Sequence, residues 1–133
     1  MAVQSCAEVK SEWDIVVARQ MGREIAKEQG FGDVDQARIT TAISELARNI
    51  FLYAEEGTIE VAVVDDHGRK GIKIVAQDTG PGIPDLKMAM RDGFSSSGGL
   101  GAGLTGVKRL MDYFDIKTEI GAGTVVTAIM WLR

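Results

Sequence analysis

The sequence predicts an α+β fold, a two-layer sandwich with about three helices on one face of a mixed, mostly antiparallel sheet. Two observations support this prediction. The apolar pattern changes from a helical period to strand alternation near residue 57, and the predicted order is strand, two helices, two strands, loop, helix, two strands. A chain of 133 residues has the size of one domain, so we expect a single domain over residues 1–133.

The N-terminal part is predicted to form a short edge strand and two amphipathic helices. Residues 2–10 are the candidate strand. Apolar residues at steps of four predict a helix over residues 12–28, with a core stripe of Trp13, Val17, Met21 and Ile25. A second helix is expected from Asp33, a suitable N-cap, to about Tyr53, with a core stripe of Ile39, Ile43, Leu46 and Ile50.

The remaining segments are predicted to supply the rest of the sheet. Alternating apolar residues over 59–63 and 72–76 predict a hairpin, with a solvated His67 in its turn. A long glycine-rich segment follows. After it we expect a third helix and two final strands, at about residues 104–114, 116–120 and 124–131.

Composition and charge exclude several classes of protein. The net charge of −4 argues against nucleic acid as a ligand, because a phosphate backbone requires a concentrated basic face. Cys6 is the only cysteine, so no intrachain disulfide can form, and we expect it to be a half-buried apolar residue. No run of about 18 apolar residues occurs, and we predict a cytoplasmic protein without a membrane segment.

The first motif with chemical potential lies in the second predicted helix. Glu45 and Asn49 are four residues apart, so their side chains share one face, which flanks the apolar stripe and can border a cleft. Asn offers a neutral oxygen of the kind that Mg²⁺ binds, and Glu can act as a general base. The alternative is that Glu45 and Asn49 simply belong to a solvated helix face without a functional role.

The second motif directly follows the hairpin. Asp78 ends the strand, and a carboxylate there can accept a hydrogen bond from an exocyclic amine such as the adenine 6-amino group. Gly80 and Gly82 would let the backbone approach a flat ring where a Cβ atom would collide. The alternative is an ordinary tight turn.

The third motif is the glycine-rich run over residues 98–103, just before the third predicted helix. Backbone amides and the positive helix end can together form a cradle for phosphates, although a flexible linker is the alternative. Gly101, Gly103 and Gly106 match the dinucleotide fingerprint. We reject a Rossmann fold because residues 92–97, which precede them, do not form a strand.

In this order, the three motifs resemble the N, G1 and G2 boxes of the histidine kinase/Hsp90/gyrase/MutL (GHKL) ATPase superfamily. The resemblance implies the Bergerat fold, ATP and Mg²⁺ as cofactors, Glu45 as the catalytic base and Asn49 as the metal ligand. It also implies a mobile lid from about Pro84 to Leu104. The implied ATP-binding residues are Asn49, Asp78, Gly80, Gly82, Ile83, Gly99, Gly101, Gly103, Leu104 and Thr124.

A closer resemblance covers nearly the whole chain. Residues 12–15, 35–49, 93–103 and 131–133 are similar to the small serine/threonine kinases of bacterial partner-switching systems, nearest to the stressosome switch kinases. This resemblance implies phosphorylation of STAS-domain scaffold or antagonist proteins. It further implies that the released kinase binds and activates a PP2C-type phosphatase.

Two other functions are compatible with these motifs: an anti-sigma-factor kinase, and a nucleotide-binding switch without transfer activity. Residues 95–97 are serines where anti-sigma kinases tend to place a basic residue, which favours the switch kinase and leaves the cation at the γ-phosphate unidentified. Glu45 favours transfer over binding alone. We also expect Arg38, Thr41 and Arg48, outside the core stripe, to contact the STAS substrate, with a solvated face as the alternative.

Overall fold

A computed structural model describes residues 4–54, 56–83 and 100–133 and shows one antiparallel sheet covered by helices on one face. The sheet order is β1-β2-β3-β5-β4, and every strand pairing among the described residues is antiparallel. The predicted α+β sandwich is therefore confirmed. Its elements are β1 (Gln4–Val9), α1 (Glu12–Glu28), α2 (Asp33–Asn49), a π-helical turn (Ile50–Ala54), β2 (Gly57–Asp66), β3 (Arg69–Asp78), α3 (Leu100–Leu110), β4 (Tyr113–Glu119) and β5 (Gly123–Trp131).

Helix α1 has the predicted bounds but buries a different face. Trp13 is 69% exposed and Val17 is 44% exposed, so the predicted core stripe is wrong at these two positions. The reason is close packing on α2, where the end of the Ile43 side chain occupies the space that a Cβ atom at Gly22 would fill. The face of α1 that packs on α2 is therefore the one that carries small residues. It consists of Ile15, Ala18, Gly22, Ile25 and Ala26.

Helix α2 buries the predicted stripe of Ile39, Ile43, Leu46 and Ile50. Its N-cap is Gly32 rather than Asp33, which is the first helical residue. The α-helix ends at Asn49 and continues as the π-helical turn, so the predicted end near Tyr53 is only approximately right. Turns of this kind are rare and often occur at functional sites, and this one turns Tyr53 and Ala54 toward the ends of β3 and β5.

The β2–β3 hairpin is confirmed, with a tighter turn than the sequence suggested. His67 and Gly68 form it alone, and both have positive φ angles (55° and 85°), as a type I′ turn requires. The histidine is exposed, as predicted. On the other side of β3, the antiparallel register with β5 places Asp78 opposite Thr124, which determines the geometry of the site described below.

Two further predictions need correction. Helix α3 begins at Leu100, not near Leu104, and ends at Leu110, because Phe114 belongs to β4. The helix includes several glycines despite their low helix propensity, since its buried residues, such as Val107, pack in the core. Cys6 is exposed rather than half-buried, because strand alternation turns its neighbour Ala7 inward instead.

Within the described ranges, no helix has the length and apolar composition of a membrane-spanning segment.

Candidate functional site

A cleft lies between α2, the π-helical turn and the ends of β3 and β5. It contains about 470 Å³ of atom-free space, part of it open to solvent. Most of the lining is apolar, with a few polar groups. The lining residues are Leu46, Asn49, Ile50, Tyr53, Ala54, Ala76, Asp78, Pro81, Gly82, Ile83, Leu104, Thr124 and Val126.

The predicted site residues divide between this cleft and its border. Asn49, Asp78, Gly82, Ile83, Leu104 and Thr124 line the cleft. Glu45 and Gly80 lie beside it, and Gly103 is buried near Glu45. Gly101 is in the first turn of α3. Gly99 and most of the predicted lid, residues 84–99, lie outside the described residues.

At one end of the cleft, the first turn of α3 runs against the polar pair on α2. A Cβ atom at Gly103 would be 3.2 Å from Glu45 Oε2 and 3.4 Å from both terminal atoms of the Asn49 amide. The absence of a side chain at position 103 therefore allows this close approach. The carboxylate and the amide thus meet the backbone of α3 at one place, and both side chains are partly buried.

The amide of Asn49 is the polar group of the pair that lines the cleft. Its Nδ2 atom is buried and finds no hydrogen-bond partner among the described residues. Oxygen and nitrogen of such an amide exchange places when the group rotates by half a turn, so the unpaired atom can equally be the oxygen. A buried polar atom without a partner is costly, and a ligand in the cleft would relieve that cost.

At the other end, Asp78 anchors the segment that follows β3. Its Oδ1 accepts a hydrogen bond from Gly80 N–H at 2.9 Å, which leaves Oδ2 without a hydrogen-bond partner among the described residues, near the cleft. Gly80 is required because a Cβ atom there would come within 2.7 Å of Ala54 Cβ in the π-helical turn. The turn and the Asp78 segment therefore pack directly on each other and form one wall.

The β4–β5 hairpin supports the same segment through a residue that sequence reasoning missed. Thr118 Oγ1 accepts a hydrogen bond from Ile83 N–H at 2.9 Å and shares a second one, also 2.9 Å, with Thr124 Oγ1. Gly121 N–H donates to the Pro81 carbonyl at 2.9 Å. The two threonines are paired across β4 and β5, so the hairpin register is the signal that could have identified Thr118.

Tyr53 is a second cleft residue that sequence reasoning missed. Its hydroxyl is buried and has no hydrogen-bond partner in the described part of the chain. Within those same ranges, no three His, Cys, Asp or Glu side chains come together as a metal site. Among the described residues, the cleft thus offers an amide and a phenol as buried groups without a partner, together with the free oxygen of Asp78, as expected for a site that binds an organic polar ligand.

Substitution of Gly123 by alanine is expected to lower the free energy of unfolding by about 2–4 kcal/mol. Gly123 has a φ angle of 125°, and a Cβ atom there would collide with the backbone carbonyl of Asp78. The matched control is Gly121→Ala, which has a φ angle of 82° but nothing within 4 Å and should cost only about 1 kcal/mol. Urea denaturation of both variants checks this, and equal losses would contradict it.

Two solved structures from bacteria have a fold similar to that of this chain. The crystal structure of the RsbU and RsbW domains of a Mycobacterium tuberculosis protein matches 99% of this chain, with a TM-score of 0.68 and 20% identity. The chain spans only 32% of that protein. The SiaB–SiaC complex from Pseudomonas aeruginosa matches 98% of this chain and 89% of its own, with a TM-score of 0.55 and 11% identity. At these identities the likeness concerns the fold.

Sequence comparison goes further than the fold. Residues 34–133 match the model of the histidine kinase-, DNA gyrase B- and HSP90-like ATPases. Over 130 residues, the chain is 65% identical to the serine/threonine-protein kinase RsbT of Bacillus subtilis (strain 168), and the match covers 98% of each protein. The resemblance to GHKL ATPases predicted from the three motifs is thereby confirmed. The chain belongs to the histidine kinase-, DNA gyrase B- and HSP90-like ATPase family and, within it, to the family of the serine/threonine-protein kinase RsbT.

Proposed function

We propose that this serine/threonine kinase transfers the γ-phosphate of ATP to STAS-domain scaffold or antagonist proteins of a stressosome. When released from them, it would bind and activate a PP2C-type phosphatase. The observation that carries the proposal is the convergence of Asn49, Asp78 and Thr124 on one cleft, with Glu45 at its border. The 65% identity to a serine/threonine-protein kinase over nearly the whole chain supports it. Because ATP is the phosphate donor, we place the reaction in the cytoplasm.

In this proposal, the base of ATP binds at the end of the cleft formed by β3 and β5. The free oxygen of Asp78 accepts a hydrogen bond from the adenine 6-amino group. Ile83 and Leu104 contact the ring, and the Thr118–Thr124 pair holds the wall in place. An apolar slot with one carboxylate acceptor suits a flat base that carries an amine.

The phosphates then extend toward the first turn of α3. This helix has 11 residues, and the free N–H groups at its start attract negative charge. Gly101 and Gly103 let the backbone approach the phosphates, and we assign Gly99 to the same cradle. The γ-phosphate would then be near Glu45, which lies against Gly103.

Glu45 is the proposed catalytic base. Its carboxylate borders the cleft without lining it, so it can face an acceptor hydroxyl that enters from outside while the nucleotide occupies the interior. There it would orient the hydroxyl of the substrate serine or threonine and accept its proton as the new O–P bond forms. The bond between the γ-phosphorus and the bridging oxygen breaks in the same step, and ADP leaves with that oxygen. Phosphoryl transfer depends mainly on positioning and electrostatics, which this arrangement supplies.

Asn49 is the proposed protein ligand of Mg²⁺. The fit rests on its buried amide, whose unpaired terminal atom can be the oxygen, because a single neutral oxygen suits a cation that keeps several of its waters. When bound, Mg²⁺ would offset negative charge on the phosphates. The amide itself fixes where that charge is neutralised, since α2 and the nearby backbone of α3 restrict its position.

Substitution of Tyr53 by phenylalanine is expected to have opposite effects on stability and on binding. The free energy of unfolding should stay unchanged or rise by up to about 1 kcal/mol, because the buried hydroxyl has no described partner to lose. The dissociation constant for ATP should rise about tenfold, because we assign this hydroxyl a hydrogen bond to the nucleotide in the cleft. Urea denaturation and calorimetric titration measure the two effects. Tyr113→Phe, at an exposed position in β4, is the control, and an unchanged ATP affinity in Tyr53→Phe would contradict the assigned contact.

The proposed function is tested by mixing the purified protein with Mg-ATP and a STAS-domain scaffold from the same organism. Intact-mass analysis should show one added phosphate on the scaffold, lost with Asn49→Ala and retained with Gln20→Ala, an exposed position on α1. Nucleotide binding without transfer to the scaffold would favour the binding switch. Capture of a sigma factor in a pull-down would favour the anti-sigma kinase.

A further inference from the structure

The side of α2 that points away from the core carries a line of exposed and partly exposed residues that ends in the π-helical turn, and we call this line the outer stripe. Steps of three and four residues place its five members on α2 within about 80° around the helix axis, and Leu52 follows in the π-helical turn. The apolar residues at its ends are well exposed, 66% for Val34 and 50% for Leu52. The outer stripe consists of Val34, Arg38, Thr41, Glu45, Arg48 and Leu52.

Two cations flank the proposed catalytic base along this stripe. At 1.5 Å per residue, Arg48 is about 4.5 Å from Glu45 along the helix axis, and Arg38 is about 10 Å away on the opposite side. Arg48 makes no ion pair with any residue that the structure describes. The outer stripe is therefore positive on a protein whose net charge is −4.

The ion pair of Arg38 leaves its charge available. Its Nη1 is 3.3 Å from Asp35 Oδ1, and its side chain stays 45% exposed. Asp35 is shared, because its other oxygen lies 3.4 Å from Arg133 Nε. One carboxylate, whose side chain is 15% exposed, thus faces two guanidinium groups and offsets only part of the charge of Arg38. An incoming carboxylate can therefore interact with Arg38 without breaking a strong contact.

We propose that the outer stripe binds the phosphoacceptor segment of the protein substrate, and that Arg38 and Arg48 select a segment with acidic side chains on both sides of the acceptor hydroxyl. The inference rests on the proposed kinase function, because only an occupant that reaches Glu45 can be phosphorylated there. An acidic segment would be repelled by Glu45 alone. The flanking arginines offset that repulsion and set the register of the hydroxyl on the base. Val34 and Leu52 offer apolar contacts at the two ends.

The test uses the STAS-domain scaffold as the probe and measures its binding and phosphorylation separately. Arg48→Glu and Arg38→Glu should each weaken scaffold binding about tenfold, since reversal removes an attraction and adds a repulsion. Wild-type binding should weaken between about 0.05 M and 0.5 M salt, and the double variant should lose most of that dependence. ATP affinity should not change. Arg23→Glu, at an exposed position on α1, is the matched control and should behave like wild type.

A charge exchange identifies the partner groups. Once mass spectrometry locates the phosphorylated residue, lysine in place of a flanking acid on the scaffold should restore binding to Arg48→Glu and weaken binding to wild type and to Arg23→Glu. Normal scaffold affinity and normal phosphorylation in both stripe variants would overturn the docking inference and leave the kinase function intact. If wild type binds the scaffold through the stripe but transfers no phosphate, the proposed function fails instead.

Discussion

Substitution of Glu45 by glutamine is expected to lower kcat for phosphoryl transfer to the scaffold about 10²–10⁴-fold, with ATP affinity changed by less than about twofold. Glutamine keeps the shape of the side chain beside Gly103 but removes the basic carboxylate. The selectivity for kcat follows from position, because Glu45 borders the cleft and does not line it. Single-turnover transfer with a labelled γ-phosphate measures the first quantity, and calorimetric titration of ATP measures the second.

The control for this experiment is Glu24→Gln, which removes an exposed carboxylate from α1 and should change neither quantity. A Glu45→Gln variant with wild-type kcat would exclude Glu45 as the base. A large loss of ATP affinity with an unchanged rate at saturation would instead place the side chain among the nucleotide contacts.

The second large effect is expected for Asp78→Asn, which should raise the dissociation constant for ATP about 100-fold. One oxygen of Asp78 accepts the Gly80 N–H, and an asparagine oxygen can replace it there. The remaining group would then be an NH₂ donor that faces the adenine amine, so two donors would meet without an acceptor. Guanine carries a carbonyl oxygen where adenine carries its amine. The variant should therefore gain affinity for GTP relative to ATP.

Nucleotide titrations with ATP and GTP check both parts of this prediction. Asp115→Asn, a partly buried acid in β4, is the control and should leave both affinities unchanged. The free energy of unfolding of the variant should be measured as well, because loss of the turn after β3 would weaken the binding of ATP and GTP equally. An equal loss for ATP and GTP in a stable variant would contradict the assigned contact to the adenine amine.

The elements that the sequence predicted well are those in which one simple period covers the whole element. In α2, large apolar residues at steps of three and four form the only plausible core stripe, and all four predicted members are buried. In β2 and β3, alternate residues form the predicted inner face, and its large members Ile59, Val61, Ile72 and Ile74 are all buried. The three motifs also occur along the chain in the same order as the N, G1 and G2 boxes of the family. The family could therefore be recognised from the sequence before any geometry was known.

Predictions failed where packing partners, rather than the local period, decide the outcome. In α1, the large residues Trp13 and Val17 suggested the core face. Contact with Ile43 on α2 requires small residues on the buried face, so Trp13 and Val17 lie on the exposed face instead. In α3, the glycines suggested a loop up to residue 103, but packing in the core stabilises a helix from Leu100. Helix propensity is a weak local term that such tertiary contacts override.

The chain alone determined which residue types are available to the site: a carboxylate and an amide on one helix face, an acid at a strand end, and glycines at the start of a helix. Tertiary structure decided how they meet. The π-helical turn brings Tyr53 into the cleft, the antiparallel register of the last strands places Thr118 beneath Ile83, and Gly103 allows α3 to contact Glu45. These contacts join segments far apart in sequence, and no local period records them, because each depends on the shape of a surface contributed by another element.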